Sequence, residues 1–143
     1  MNKKLFCVAV FLVFVLVLSG CGGYPTAPSP SINEEAKVKS VINEYFSAIS
    51  YQNWSKAKNL CVYGSDRYYA TLAMEQYVNS LAMYGITISC LVDISNVSIY
   101  GNDAQANINL TLSMTYGGYY DTESDSGTYY LQKVGGSWKI YGP

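Results

Sequence analysis

The chain has 143 residues, half of them hydrophobic, with nine basic and ten acidic side chains and no histidine. Without histidine there is no general base of the commonest kind, no imidazole metal ligand, and no serine–histidine or cysteine–histidine nucleophile. No basic stretch could neutralise several phosphates, which argues against nucleic acid as a partner.

Lys3 and Lys4 precede an uncharged apolar run from Leu5 to Leu18. As a helix that run reaches about 21 Å, short of a hydrocarbon core of roughly 30 Å. A positive start, a short apolar middle and small residues after it form the pattern of an export signal; the alternative is an uncleaved membrane helix. Leu18-Ser19-Gly20-Cys21 resembles the bacterial lipobox. That resemblance implies a diacylglyceryl group on the Cys21 thiol and cleavage before it. Two acyl chains suffice for stable anchoring where one is marginal. Gly22 and Gly23 are flexible, whereas Pro25, Pro28 and Pro30 favour an extended path, so residues 21–30 read as a tether of roughly 30 Å. The expected organisation is a signal peptide over 1–20, a lipidated tether over 21–30 and one domain over 31–143. Loss of Lys3 and Lys4 leaves seven basic against ten acidic side chains, a net charge near −3.

Ser31-Ile32-Asn33-Glu34 reads as a capping box. After it, Val38, Val41, Ile42, Tyr45, Phe46 and Ile49 fall at helical spacing, with Glu35 and Lys39 as a surface pair. Asn53 caps a short second helix with Trp54, Ala57, Leu60 and Cys61. A third starts near Ser65 or Asp66 and runs until Gly85. The period then changes to two. Ile86, Ile88, Cys90, Val92 and Ile94 alternate with mostly polar neighbours, and a phase shift near Ser95-Asn96 predicts a bulge. Ala106 to Tyr116 alternates strictly, one face on a core and one in water. Gly101-Asn102-Asp103, Asp121 to Gly127 and Gly135-Gly136 are the expected turns, and Trp138 and Ile140 lie on the last strand. The fold class is α+β: three N-terminal helices packed on a curved antiparallel sheet.

Cys7 falls in the signal and Cys21 in the anchor, which leaves Cys61 and Cys90. In an exported protein this pair is a candidate disulfide, worth roughly 3 to 4 kcal/mol by loop closure. The alternative is two buried thiols.

The order of elements, the helix Val41 to Ile49, the segment Asn53-Trp54-Ser55-Lys56-Ala57 and the terminal Gly136-Ser137-Trp138-Lys139-Ile140 resemble the nuclear transport factor 2-like superfamily over Ile32 to Tyr141. The resemblance implies a cone-shaped half-barrel with a hydrophobic mouth. Tyr45, Phe46, Leu110, Leu112 and Trp138 are its candidate pocket residues. The superfamily holds isomerases, dehydratases, carriers and binding domains, so the fold does not choose among them.

An isomerase of this fold would need an inward carboxylate. The alternation leaves none: Asp93 falls in the polar phase and Asp103 in a turn. Asp121-Thr122-Glu123-Ser124-Asp125-Ser126-Gly127 is superficially like a calcium loop, but its glycine comes one place late and Gln132 stands where a bidentate glutamate belongs. It reads better as an acidic turn, and neither metal nor cofactor is expected. Fifteen tyrosines are many for one domain; Tyr116, Tyr119, Tyr120, Tyr129 and Tyr130 form a candidate interaction surface for a protein or cell-wall partner. The expected function is therefore a lipid-anchored binding domain outside the cytoplasmic membrane, with the lipid bilayer reached through Cys21. The alternative is an apolar-ligand carrier or an isomerase- or dehydratase-like enzyme using the cone. Cys21→Ala should release the protein from membranes or stall its processing; unchanged membrane partition and gel mobility would contradict the anchor.

Overall fold

The computed structural model describes residues 32–142, so the signal, Cys21, the tether and Ser31 of the capping box lie outside the described residues. Helix α1 spans Ile32–Ser50 and buries Val38, Ile42, Tyr45, Phe46 and Ile49 on one stripe, as their spacing predicts. Its end is a Schellman motif. Gln52 N donates to Ile49 O at 2.9 Å and Asn53 N to Ala48 O at 2.8 Å. Gln52 takes the left-handed position, φ 54°, where glycine is usual, and its Nε2 donates to Ile86 O at 3.0 Å. Helix α2, Trp54–Asn59, is capped by Asn53 Oδ1 on Lys56 N. Helix α3, Asp66–Ser80, is capped by Ser65 Oγ on Tyr68 N; a 3₁₀ turn, Ala82–Tyr84, then ends at Gly85.

Strands β1 (Thr87–Tyr100), β2 (Asp103–Tyr116), β3 (Tyr119–Val134) and β4 (Ser137–Ile140) form an antiparallel meander in the order β1-β2-β3-β4. The predicted bulge is present, with the register shifting between Ile94 and Asn96. Inward residues of all four strands and α1 make one core: Ile88 and Ile99 on β1, Ala104, Ala106 and Ile108 on β2, Tyr129 and Leu131 on β3, and Ile140 on β4. The Gly101-Asn102 and Gly135-Gly136 turns stand where expected.

The expected turn over Asp121 to Gly127 is not there. The hairpin turns at Gly117-Gly118, φ 53° and 80°, a pair of positive φ values that fits the twist of the flanking strands. Asp121 to Gly127 is strand, which also removes the calcium-loop geometry; among the described residues no group of ligating side chains could hold a metal ion. Direct pairing sets Asp121 opposite Met114, Glu123 opposite Leu112 and Asp125 opposite Leu110. Paired residues share a face, so all three carboxylates lie on the concave, helix-facing side, where the alternation had left none. They sit at its margin, Asp121 and Asp125 exposed and Glu123 half-buried. β4 covers β3 only from Leu131 to Val134, so among the described residues the first half of β3 is an edge. Charges turned inward on an edge strand deter pairing with another chain.

Glu34 fastens α1 to the far end of the sheet. Its carboxylate takes Lys133 Nζ at 2.6 Å, Lys37 Nζ at 2.8 Å and Trp138 Nε1 at 3.0 Å, with Lys133 also 5.0 Å over the Trp138 ring. The Lys133 hydrogen bond, with Lys37 and Trp138 adding to it, holds its pKa down at about 2, from 4.5. A lowered carboxylate pKa stabilises the fold above the unfolded value and loses that contribution as pH falls through the folded one. The Glu34 contribution should thus be complete above pH 4.5 and vanish towards pH 2. Denaturant midpoints across that window should fall less steeply in Glu34→Gln than in wild type; parallel curves would contradict the clasp.

Candidate functional site

Where the helices meet the sheet, the interior closes over a cation. Arg67, on the first turn of α3, is 2 % exposed, and its Cζ lies 4.2 Å from the centroid of Tyr129 and 5.8 Å from that of Tyr45. Two π-faces attract a desolvated guanidinium by about 2 kcal/mol or more, which offsets part of the cost of burying its charge. Phe46 extends the aromatic group, edge-on to Tyr45 at 5.2 Å and tilted against Tyr129 at 5.6 Å. The hydroxyl of Thr71 donates to Arg67 O at 2.7 Å. Its single proton is thereby used, so the 2.9 Å contact with Tyr45 must be donated by the tyrosine. Cys61 Sγ closes the group, donating to Ala57 O at 3.4 Å and lying 3.8 Å from Thr71 Oγ1.

Burial pushes the pKa of Tyr45 and Tyr129 up, with the Arg67 charge opposing it, and pushes the Cys61 thiol up to about 11. At neutral pH the cluster therefore offers neutral phenols, a neutral thiol and a permanent cation. It can donate hydrogen bonds, but none of these groups is a base. Tyr45, Thr71 and Arg67 are each at most 2 % exposed, so the cluster is sealed.

Of the candidate pocket residues, Tyr45, Phe46, Leu110 and Trp138 are buried in one extended core and Leu112 packs against it, rather than lining an open mouth. Tyr45 and Phe46 belong to the sealed cluster, Leu110 is buried in the core and Leu112 is half-buried at the concave margin. Trp138 pairs with Lys133, eight residues or roughly 27 Å along β3 from the partner of Leu110. An open groove of about 360 Å³ does lie between α1 and β1, lined by Phe46, Ser47, Ser50, Cys90 and Val92 among others.

The candidate tyrosine surface also divides. Tyr116 and Tyr119 flank the Gly117-Gly118 tip on the concave face, their rings 6.1 Å apart. Tyr120 and Tyr130 lie on the convex face, ten residues apart, and the Tyr130 ring is tilted against that of Tyr141 with centroids 6.1 Å apart. Tyr129 is no surface residue at all: at 5 % exposure it is the lid over Arg67. Cys61 and Cys90 stand as free thiols, Cys61 buried in the cluster and Cys90 in the α1–β1 groove.

Arg67 was missed because a charged residue at a helix start reads as solvated. The three inward carboxylates were missed with the turn, although Gly117-Gly118 between alternating runs was a sufficient signal for it.

No family model and no curated protein matches the sequence. Solved structures do. An NTF2-like protein with a cystatin-like fold from Novosphingobium aromaticivorans superposes with a TM-score of 0.62 at 10% identity, covering 98% of this chain and 86% of that one. An NTF2-like superfamily protein from Salmonella enterica gives 0.63 at 16% identity, over 80% and 94%. A ketosteroid isomerase-like protein from Erwinia carotovora atroseptica gives 0.58 at 13% identity, over 77% and 92%. The chain has the NTF2-like, cystatin-like fold. In this chain the space between helices and sheet holds an arginine–tyrosine cluster, and Asp121, Glu123 and Asp125 lie at the sheet margin.

In native protein at pH 8, iodoacetamide should leave Cys61 unmodified, and denaturant should make it react at once. A Cys61–Cys90 cross-linked peptide recovered without reductant would contradict the free thiols.

Proposed function

We propose that this chain is an exported lipoprotein, held on the extracytoplasmic side of the cell membrane by acylated Cys21, whose domain is a non-catalytic binding module for a protein or envelope partner. The observation that carries this reading is the sealed interior. Tyr45, Arg67, Thr71 and Tyr129 occupy the region between helices and sheet, and the titratable groups among them favour their protonated forms.

The direction of the molecule supports it. Glu34 ties the start of α1 to Lys133 and Trp138, so the chain enters the domain at the β3–β4 end. The Gly117-Gly118 tip stands at the opposite end of β3, some fourteen residues or roughly 50 Å away. A tether at one end thus presents Tyr84, Tyr119 and Tyr120, all more than half exposed, at the other. Gly117 N donates to Tyr84 O at 2.9 Å, which fixes the tip to the end of the helical layer.

A second reading, an apolar-ligand carrier or isomerase- or dehydratase-like enzyme, draws on the likeness to the ketosteroid isomerase-like protein and on the carboxylates beside Leu110, Leu112 and Met114. The two readings separate in one experiment. The full chain in detergent should capture a component of the cell envelope, and replacing Tyr119, Tyr120 and Tyr130 by alanine should cut that capture about tenfold without lowering the melting temperature. Undiminished capture by the folded variant would overturn the tyrosine surface. An apolar small molecule co-extracted in stoichiometric amount would favour the carrier instead.

A further inference from the structure

Whatever the partner, the convex face of the sheet has an unusual composition. Between Tyr120 and Tyr130 the outward positions of β2 and β3 are serine, threonine, asparagine and glutamine without one ionisable group, and β1 contributes only Asp93. Solvated sheet faces ordinarily intersperse both signs of charge for solubility. Here the side chains are instead tied to one another across the strands. Thr111 and Ser124 hydroxyls lie 3.0 Å apart, Ser113 and Thr122 2.9 Å apart, and Thr128 Oγ1 donates to Asn107 Oδ1 at 2.9 Å.

We infer that this face binds a neutral polysaccharide; the inference rests on the binding-module reading and gives it a ligand class. A hydroxyl carries one donor and two acceptor sites. Each of the two hydroxyl pairs spends one proton internally and keeps one O–H and several lone pairs, and the Thr128–Asn107 pair keeps the amide N–H donors of Asn107. The internal bond fixes the rotamers, so less side-chain freedom is lost on binding. The result is a row of groups that both donate and accept, the same chemistry as the hydroxyls of a sugar. Strands about 4.8 Å apart repeat that row at nearly the width of a pyranose ring. At either end stands an aromatic ring: Tyr120, 68 % exposed, near the tip, and Tyr130, half-buried and tilted against Tyr141, roughly 34 Å along the strand. Such a span suits a polymer of several units rather than a monosaccharide, and tyrosine rings suit the apolar faces of sugars.

The uncharged face also argues against other occupants. A phosphorylated or sulfated ligand would find no cation, and a protein interface centres on a cluster of apolar anchors, where between the two tyrosines this face offers only Leu91 of β1.

The test uses the full chain in detergent, titrated with neutral glucose and N-acetylglucosamine hexasaccharides and sedimented with the matching insoluble polysaccharides. At least one should bind saturably, and equally at low and high salt, because no charge is involved. Thr111→Val, Thr122→Val and Ser124→Ala combined with Tyr120→Ala should weaken that binding roughly tenfold or more while the melting temperature holds, since valine suits strands as well as threonine. Envelope capture without binding to any neutral glycan would overturn the inference and leave the binding-module reading intact. Binding undiminished in the folded variant would overturn it too, as would a dimer by sedimentation that the variant dissociates. A chain that captures neither glycan nor any envelope fraction would overturn both.

Discussion

The register of the β2–β3 hairpin is the constraint from which the rest follows. Gly117 and Gly118 both take positive φ, and the tight turn they make pairs Thr115 with Tyr120, Ser113 with Thr122 and Thr111 with Ser124 in unbroken sequence. A strand has a side-chain period of two, so a slip of one residue would exchange its faces. In the observed register Ala104, Ala106, Ile108 and Leu110 meet the helices, and every serine and threonine of the hairpin lies on the outer face. The slipped register would put Thr122, Ser124 and Ser126 on the core side. The apolar area of β2 alone selects against that arrangement.

From the same register comes the placement of Tyr129 over Arg67. An arginine is costly to bury, and this one is accommodated by ring faces on both sides, its helix turn closed by the Thr71 and Tyr45 hydroxyls. The cluster fills the space between the helices and the sheet. The interior of the cluster is thus closed to solvent, while the sheet's outer face carries an ordered row of cross-strand hydroxyl contacts. The Glu34 clasp then decides which end of the sheet the chain approaches from.

Much of the architecture was legible because burial leaves a period in the sequence. Val38, Ile42, Tyr45 and Ile49 marked α1, Asn53 and Ser65 marked caps, and the phase change at Ser95 marked the bulge. The β2–β3 turn was not legible from hydrophobicity, because from Asp121 to Ser126 both phases are polar. Carboxylates alternate there with hydroxyls, and the hydrophobic signal that distinguishes strand from loop disappears. Tyr129 failed for a related reason: it is amphipathic and was assigned to the surface by its polar end although its ring is buried, while Arg67, equally amphipathic, was not singled out at all. Trp138 was grouped with Tyr45, Phe46, Leu110 and Leu112 as a pocket residue, since alternation reports which face a residue occupies and says nothing of its position along the sheet. The lipobox and tether rest on residues 16–30, which lie outside the described residues.

The register can be measured directly by cross-linking cysteines across the hairpin. Directly opposed residues have Cβ atoms about 5 Å apart, within reach of a disulfide after slight adjustment, whereas neighbours offset by one point to opposite faces. Mild oxidation should join Ser113→Cys to Thr122→Cys in the folded protein and leave Ser113→Cys with Glu123→Cys unjoined. Efficient joining of the second pair in place of the first would mean that the faces are exchanged, and the account of both interior and exterior would fail with it.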